Sequence, residues 1–133
     1  MDTAQARRIF AADRFAALTG IEIVEAGPGR CTARLVLDDR HQNAANVVQG
    51  GAIFTLADFA FAVAANSHGQ LALALNANIT FLRSVITGTL YATASEVGDP
   101  KRIGAYDVMV TDEGGETIAR FNGIVYRKKP EGV

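Results

Sequence analysis

A single aspartate stands in a long stretch of the chain that has no other formal charge. Asp58 is the only charged residue among the forty-two between Arg40 and Arg83, where the chain's overall 20% of charged residues would give about eight. It lies eight positions into a predicted apolar helix, too deep for an N-cap. Burying an unpaired carboxylate is costly or raises its pKa. We therefore expect Asp58 to be catalytic; the alternative is a structural carboxylate held by backbone amides or by an arginine of a partner subunit.

Two glycines, Gly50 and Gly51, follow Gln49 at the predicted start of the same helix. The first N–H groups of a helix have no acceptor within it, and the helix dipole adds partial positive charge there. Because glycine lets a carbonyl oxygen approach the backbone, the pair is typical of an oxyanion hole, although Gly-Gly before a helix is also a common turn. No phosphate-binding glycine motif occurs in the chain.

The spacing between these two features predicts an assembly. Gly50 and Asp58 are eight residues apart, which is about 12 Å along a helix axis. One helix therefore cannot bring both to one small reacting group. Two such helices running antiparallel across a twofold axis would place Gly50 of one beside Asp58 of the other. We therefore expect a homodimer with two sites.

The elements that must position these residues follow from hydrophobic periodicity. The helix over residues 50–66 is apolar nearly all round, so it is expected inside the protein. It is preceded by an amphipathic helix ended by Gly20 and followed by long alternating segments, which predicts the α+β class with an antiparallel sheet. Such a sheet covers only part of the helix, and the uncovered stripe favours a dimer. The predicted helices are Thr3–Leu18 and Gly50–Asn66; the predicted strands are Ile21–Val24, a strand from Arg30, Leu71–Leu82, Thr89–Val97, Lys101–Thr111 and Glu116–Arg127.

Composition limits the remaining function classes. We expect residues 1–133 to form a single domain. A net charge of −1 argues against binding to nucleic acid or to an anionic membrane. One cysteine, Cys31, and two histidines, His41 and His68, are a poor inventory for a metal site. No secretory segment begins the chain, so we expect a cytoplasmic protein.

A resemblance to a known family covers most of the chain. The segment HQNAANVVQGGAIFTLADFAFAVAAN, followed by NITFLR and a closing FNGIVYRKK, resembles the hotdog-fold thioesterases and most of all their phenylacetyl-CoA (PaaI-like) branch. The resemblance runs from about Gly20 to Lys129. It implies a hotdog fold, with a curved sheet wrapped around the central helix and an extra N-terminal helix. It also implies a tetramer built as a dimer of dimers, and hydrolysis of acyl-CoA or aryl-CoA without a metal or other cofactor.

The resemblance also implies roles for individual residues. Asp58 matches the catalytic carboxylate, which attacks the thioester or activates water. Gly50 matches the residue whose N–H polarises the thioester carbonyl, and Asn43 matches a loop Asn or Gln in the site. Gln49 departs from the family, which usually has histidine there. Because a carboxamide also donates hydrogen bonds, we expect the activity to be reduced or redirected rather than lost.

Substrate contacts and rival functions complete the expectations. We expect Gly51 and the cations Arg83, Lys101 and Arg102 to contact the CoA thioester, although solvated surface charge is the alternative for each cation. A non-catalytic acyl-CoA or small-aryl binding protein is the main rival. A hydratase or dehydratase ranks third, because the helix that contains Asp58 offers no histidine. The acyl group and the tetramer packing stay open.

Overall fold

The chain folds as one antiparallel sheet with a long helix packed against it. The computed structural model describes residues 1–99 and 102–128. All paired strands are antiparallel, in the order β1-β2-β4-β5-β6-β3, which confirms the predicted α+β class. The elements are α1 (Thr3–Phe10), α2 (Arg14–Thr19), β1 (Ile21–Gly27), β2 (Arg30–Val36), a 3-10 turn (Asp39–His41), α3 (Gly50–Ala65), β3 (Ala72–Phe81), β4 (Thr89–Val97), β5 (Ile103–Thr111) and β6 (Thr117–Arg127).

Helix α3 is the centre of the core and leaves one stripe uncovered. It packs against all six strands, and its side chains Leu56 and Val63 are fully buried. Gly51, Thr55 and Asp58 stay exposed or half-buried. These three positions, spaced four and three residues apart, share one face of a helix. The stripe that the sequence predicted is therefore present, and Asp58 lies on it.

The N-terminal segment forms two helices, which corrects the single helix predicted over Thr3–Leu18. The first helix ends at Phe10. The second begins after Asp13, whose carboxylate accepts a hydrogen bond from the N–H of Ala16 at 3.0 Å. Aspartate favours such a cap over a helix interior, because its side chain competes for backbone N–H groups. The predicted end at Gly20 is confirmed, with a left-handed φ of 100°.

Strand β3 lies at an edge of the sheet, and among the residues that the structure describes it pairs only with β6. The sequence predicted simple alternation there, but the pairing register shifts between Ala74 and Asn76. Leu73 and Leu75 are both exposed, as are most residues of this strand. None of the ten residues of β3 is charged or proline. A long, uncharged free edge is a ready surface for pairing with another strand.

A buried polar cluster fixes the C-terminal end of α3. The carboxylate of Glu96 accepts hydrogen bonds from His68 at 2.8 Å, Tyr106 at 2.5 Å and Arg127 at 3.1 Å. Burial alone would raise the pKa of Glu96, but the hydrogen bonds from Tyr106 and His68, with the positive charge of Arg127, hold it below its ordinary value. The cluster therefore joins the end of α3 to β4, β5 and β6.

Candidate active site

The first turn of α3 leaves one backbone donor available. Gln49 is the N-cap, and its side-chain oxygen Oε1 accepts a hydrogen bond from the N–H of Gly51 at 3.0 Å. The N–H of Ala52 donates to the Gln49 carbonyl at 2.9 Å. Within residues 1–99 and 102–128, the N–H of Gly50 has no hydrogen-bond acceptor. The predicted oxyanion donor is therefore free at the positive end of the helix.

A side chain at either glycine would crowd a neighbour that the fold brings close. A Cβ on Gly50 would lie 3.0 Å from Cζ of Phe81, the last residue of β3, which is tighter than ordinary van der Waals contact. A Cβ on Gly51 would collide with the Oε1 atom of Gln49 that caps the helix. Neither contact was predictable from the sequence, because both depend on side chains brought in by the fold.

The loop before α3 contains a second carboxamide whose oxygen, like that of Gln49, accepts a hydrogen bond from the backbone. The Oδ1 atom of Asn43 accepts hydrogen bonds from the N–H groups of Ala45 at 2.8 Å and Val47 at 3.3 Å. Because a backbone N–H is always a donor, these contacts identify the oxygen of each amide. The NH₂ groups of Asn43 and Gln49 have no acceptor in the described part of the chain. Two side-chain donors are therefore available to a ligand.

Asn43 and Gln49 both line one groove, which we call the α2 groove. Its volume is about 650 Å³, and it lies between α2, the loop before α3 and the first turns of α3. Three predicted site residues, Asn43, Gln49 and Gly51, are therefore brought together. The full lining is Phe15, Leu18, Thr19, Arg40, His41, Gln42, Asn43, Ala44, Gln49, Gly51, Ala52 and Thr55.

Gly51 contributes little more than its Cα to this lining. Its N–H is already donated to Gln49, so it is not available to a substrate. The expected contact between Gly51 and the thioester therefore stays a prediction, limited to van der Waals contact.

A buried histidine joins two walls of the groove. Nε2 of His41 lies 2.7 Å from the carbonyl oxygen of Thr19, and Nδ1 accepts a hydrogen bond from the N–H of Asp38 at 3.0 Å. The second contact places the ring proton on Nε2, which therefore donates to α2. Arg40 adds a hydrogen bond to the carbonyl of Leu18 at 3.2 Å. The sequence gives no sign of this role for His41, because nothing local signals a contact twenty-two residues away.

Asp58 lies outside the α2 groove of its own protomer. Its side chain is half-buried on the uncovered stripe of α3 and has no hydrogen-bond partner among the described residues. Burial, with the nearby negative charge of Asp13 as the smaller cause, raises the pKa of Asp58 above its ordinary value. One protomer therefore does not bring Asp58 together with the amide donors, as the helix spacing predicted.

The predicted CoA-binding cations have partners on the surface. Arg83 forms an ion pair with Glu116, and both side chains are half-exposed. Arg102 donates to the hydroxyl of Tyr126 at 3.3 Å and stacks over its ring. Lys101 lies outside the described residues. Contact of these cations with CoA stays a prediction.

Arg83 and Arg102 lie at opposite ends of the sheet. The N–H of Arg83 donates to the carbonyl of Ile118, whereas the carbonyl of Arg102 accepts from the N–H of Arg127. Ile118 and Arg127 are nine residues apart on β6, or about 30 Å. Within one protomer the two arginines therefore cannot bind the same phosphate group.

Other reactive chemistry finds no support in the part of the chain that the structure describes. Burial raises the pKa of the Cys31 thiol to about 12, so the thiol stays protonated and unreactive, as expected for a core cysteine. No three His, Cys, Asp or Glu side chains in residues 1–99 and 102–128 are grouped to hold a metal ion. Among these residues, no helix combines the length and the apolar character that crossing a membrane requires.

Comparison with known sequences identifies the family. The model of the thioesterase superfamily matches residues 45–119, which contain Gln49, Gly50 and Asp58. A protein of Archaeoglobus fulgidus named as an esterase is 40% identical over 116 residues, which cover 86% of this chain and 75% of that protein. The acyl-coenzyme A thioesterase PaaI of Escherichia coli is 34% identical over 123 residues, 92% of this chain and 88% of that protein.

Solved structures agree with the sequence comparison. The structure of the Escherichia coli PaaI protein superposes with a TM-score of 0.88 at 34% identity, covering 96% of this chain and 91% of that one. A variant of the phenylacetic acid degradation protein PaaI from Thermus thermophilus gives a TM-score of 0.83 at 31% identity, covering 87% and 100%. The predicted hotdog fold, a sheet curved around one helix with extra N-terminal helical structure, is thereby confirmed. The chain belongs to the thioesterase superfamily and is a thioester hydrolase similar to PaaI.

Proposed function

We propose that the protein hydrolyses acyl-CoA or aryl-CoA thioesters to the free acid and CoA, at a site shared by two protomers. Asp58 of one protomer faces Gly50, Gln49 and Asn43 of the other. The main support is three donor groups that have no acceptor among the described residues: the N–H of Gly50, the NH₂ of Gln49 and the NH₂ of Asn43 in the loop before α3. Such donors suit a carbonyl oxygen that gains negative charge. The name of the Escherichia coli relative supports acyl-CoA as the substrate class.

The chemistry follows from these groups. The thioester carbonyl oxygen accepts hydrogen bonds from the N–H of Gly50 and the NH₂ of Gln49, which makes the carbonyl carbon more electrophilic. The carboxylate of Asp58 either attacks that carbon or removes a proton from an attacking water. The C–S bond then breaks, and the CoA thiolate leaves and takes up a proton. When water attacks, this step gives the free acid directly. When Asp58 attacks, it leaves an anhydride between the acyl group and Asp58, which a water molecule then hydrolyses to the free acid and the Asp58 carboxylate. A raised pKa makes Asp58 a stronger base, which favours either role.

Two features of the protomer support the dimer. The stripe of α3 that contains Gly51, Thr55 and Asp58 is uncovered, and the β3 edge has no charge that would prevent pairing with a second β3. Antiparallel packing of two α3 helices would place each Asp58 beside the other helix's N-terminus. Each dimer then has two identical sites. Pairing of such dimers into a tetramer is the arrangement that the family resemblance favours.

The first experiment measures thiol release from phenylacetyl-CoA and from medium-chain acyl-CoA. We expect wild type to release CoA thiol and Asp58→Asn to release it at least about a hundredfold more slowly. Asp107→Asn is the matched control, because Asp107 is exposed on β5. Equal rates for wild type and Asp58→Asn would refute the assignment. Saturable binding of the thioester without thiol release, unimproved by Gln49→His, would favour the non-catalytic binding protein instead.

The second experiment tests whether the site is shared. Asp58→Ala and Gln49→Ala are each purified, mixed in equal amounts, unfolded and refolded together. A shared site gives hybrid dimers with one intact site, and random pairing predicts about a quarter of the wild-type rate. A site built within one protomer gives no recovery, because every site then lacks one of the two side chains. No recovery in a mixture shown to contain hybrid dimers would refute the shared site.

A further inference from the structure

We propose that helix α2 determines the acyl specificity, with Phe15 and Leu18 binding the apolar acyl part of the substrate. The inference rests on the proposed function and deepens it by naming the side chains that contact the acyl group. It begins from two large apolar side chains that are exposed in one protomer. Phe15 is 64% exposed and Leu18 is 71% exposed.

The two side chains form one surface on the α2 groove. Positions three apart on a helix lie on the same face, and both side chains line the groove. Asn43 and Gln49, whose NH₂ groups have no acceptor among the described residues, line the same groove. A thioester whose carbonyl lies at those donors therefore has α2 within reach of one of its two arms.

The chemistry of the two arms decides which one meets α2. The pantetheine arm of CoA contains amides and a hydroxyl, which lose hydrogen bonds when they lie on apolar side chains. The acyl arm has no polar group beyond the carbonyl, and it gains from contact with Phe15 and Leu18. In one protomer the open groove has a volume of about 650 Å³, which far exceeds an acetyl group.

Helix α2 is held in place before any substrate binds. Asp13 caps its start, and His41 and Arg40 hydrogen-bond its last carbonyl groups, those of Thr19 and Leu18. A preformed wall adds binding energy without the cost of ordering a loop. The wall is therefore suited to select among acyl groups.

The test compares kcat/KM for acetyl-CoA, octanoyl-CoA and phenylacetyl-CoA in wild type, Phe15→Ala and Leu18→Ala. One methylene contact in an apolar pocket changes kcat/KM by about tenfold or more. We therefore expect each variant to lose about tenfold or more with the two bulky substrates and less than about threefold with acetyl-CoA. Ile9→Ala is the matched control, because Ile9 is 57% exposed on α1 and does not line the groove.

The outcomes separate this inference from the proposed function. Equal losses with all three substrates, or no change with any, would refute the proposed role of Phe15 and Leu18. The proposal of thioester hydrolysis would be unaffected. No thiol release by wild type from any thioester would overturn the proposed function. In that case calorimetric binding decides: weaker binding of octanoyl-CoA to Phe15→Ala, with acetyl-CoA binding unchanged, supports the wall, and equal binding refutes it. Circular dichroism confirms that each variant is folded.

Discussion

His41 on the loop before α3 and Thr19 at the end of α2 are joined by a hydrogen bond of 2.7 Å. The same loop contains Asn43, so the hydrogen bond links a proposed donor to α2, whose Phe15 and Leu18 are proposed to bind the acyl group. The two sides of the α2 groove are therefore held at a fixed separation by one buried ring.

Removal of this ring should loosen the groove. We expect His41→Ala to lower the free energy of unfolding by about 1–3 kcal/mol, because two part-buried hydrogen bonds to the backbone of Asp38 and Thr19 are lost. We also expect a larger loss of kcat/KM for octanoyl-CoA than for acetyl-CoA. Urea denaturation and thiol release measure the two effects. Arg40→Ala, which removes an exposed hydrogen bond to the same helix, is the control and should cost less stability.

The pH dependence of hydrolysis should report the charge of Asp13. Asp58 acts when ionised, so the acid limb of kcat/KM follows its pKa, which burial and Asp13 raise. Asp13→Asn removes the repulsion and lowers the pKa of Asp58, so the limb should move to lower pH. Asparagine also caps helices, so α2 is retained. Asp2→Asn, at the cap of α1, is the matched control and should leave the limb in place.

Asp58→Asn should stabilise the protein near neutral pH. The pKa of Asp58 is raised in the folded state, so its contribution to stability is present below the ordinary value of 3.8 and is lost as pH rises through the folded pKa. Asparagine does not ionise and avoids that loss. Urea denaturation should therefore show the variant more stable at pH 7, with the gain shrinking toward pH 4. A less stable variant at pH 7 would contradict the cause given for the shift.

Gln49→Glu distinguishes the two roles of the Gln49 carboxamide, the helix cap made by its oxygen and the donor provided by its NH₂ group. One carboxylate oxygen still accepts from the N–H of Gly51, so the helix cap is kept, but the NH₂ donor is replaced by a charged oxygen. We expect kcat/KM to fall by about a hundredfold or more, as when an oxyanion donor is lost. Gln42→Glu adds the same charge to the same groove without removing a proposed donor, and should lose less than about tenfold. Similar losses in both variants would mean that charge alone causes the effect.

Much of the fold was predictable because it depends on local patterns. Period-two runs predicted the strands, and the apolar run after Gln49 predicted the central helix with one uncovered stripe. The break at Asp13 was missed because alanines on both sides favour a helix, and only the cap contact with Ala16 reveals the interruption. The bulge between Ala74 and Asn76 was missed because it depends on the partner strand.

The site divides in the same way. Asp58 and Gly50 were accessible from the sequence, because a charge within an apolar helix and a glycine at a helix start are local anomalies. The sequence could not show that the NH₂ groups of Gln49 and Asn43 have no acceptor among the described residues. That depends on which backbone N–H groups the fold brings to each side-chain oxygen. The α2 groove was missed for a similar reason, since Phe15 and Leu18 appear as ordinary core residues of an amphipathic helix.

The edge strand β3 has a consequence for handling the protein. Natural sheets protect their outer strands with lysines, prolines or strongly twisted bulges, and β3 has only its single register shift. A folded monomer that has not yet dimerised therefore exposes an unpaired edge strand of ten residues that is prone to aggregate. Turbidity during overexpression, or on dilution after heating, should accordingly be suppressed by one lysine introduced into β3.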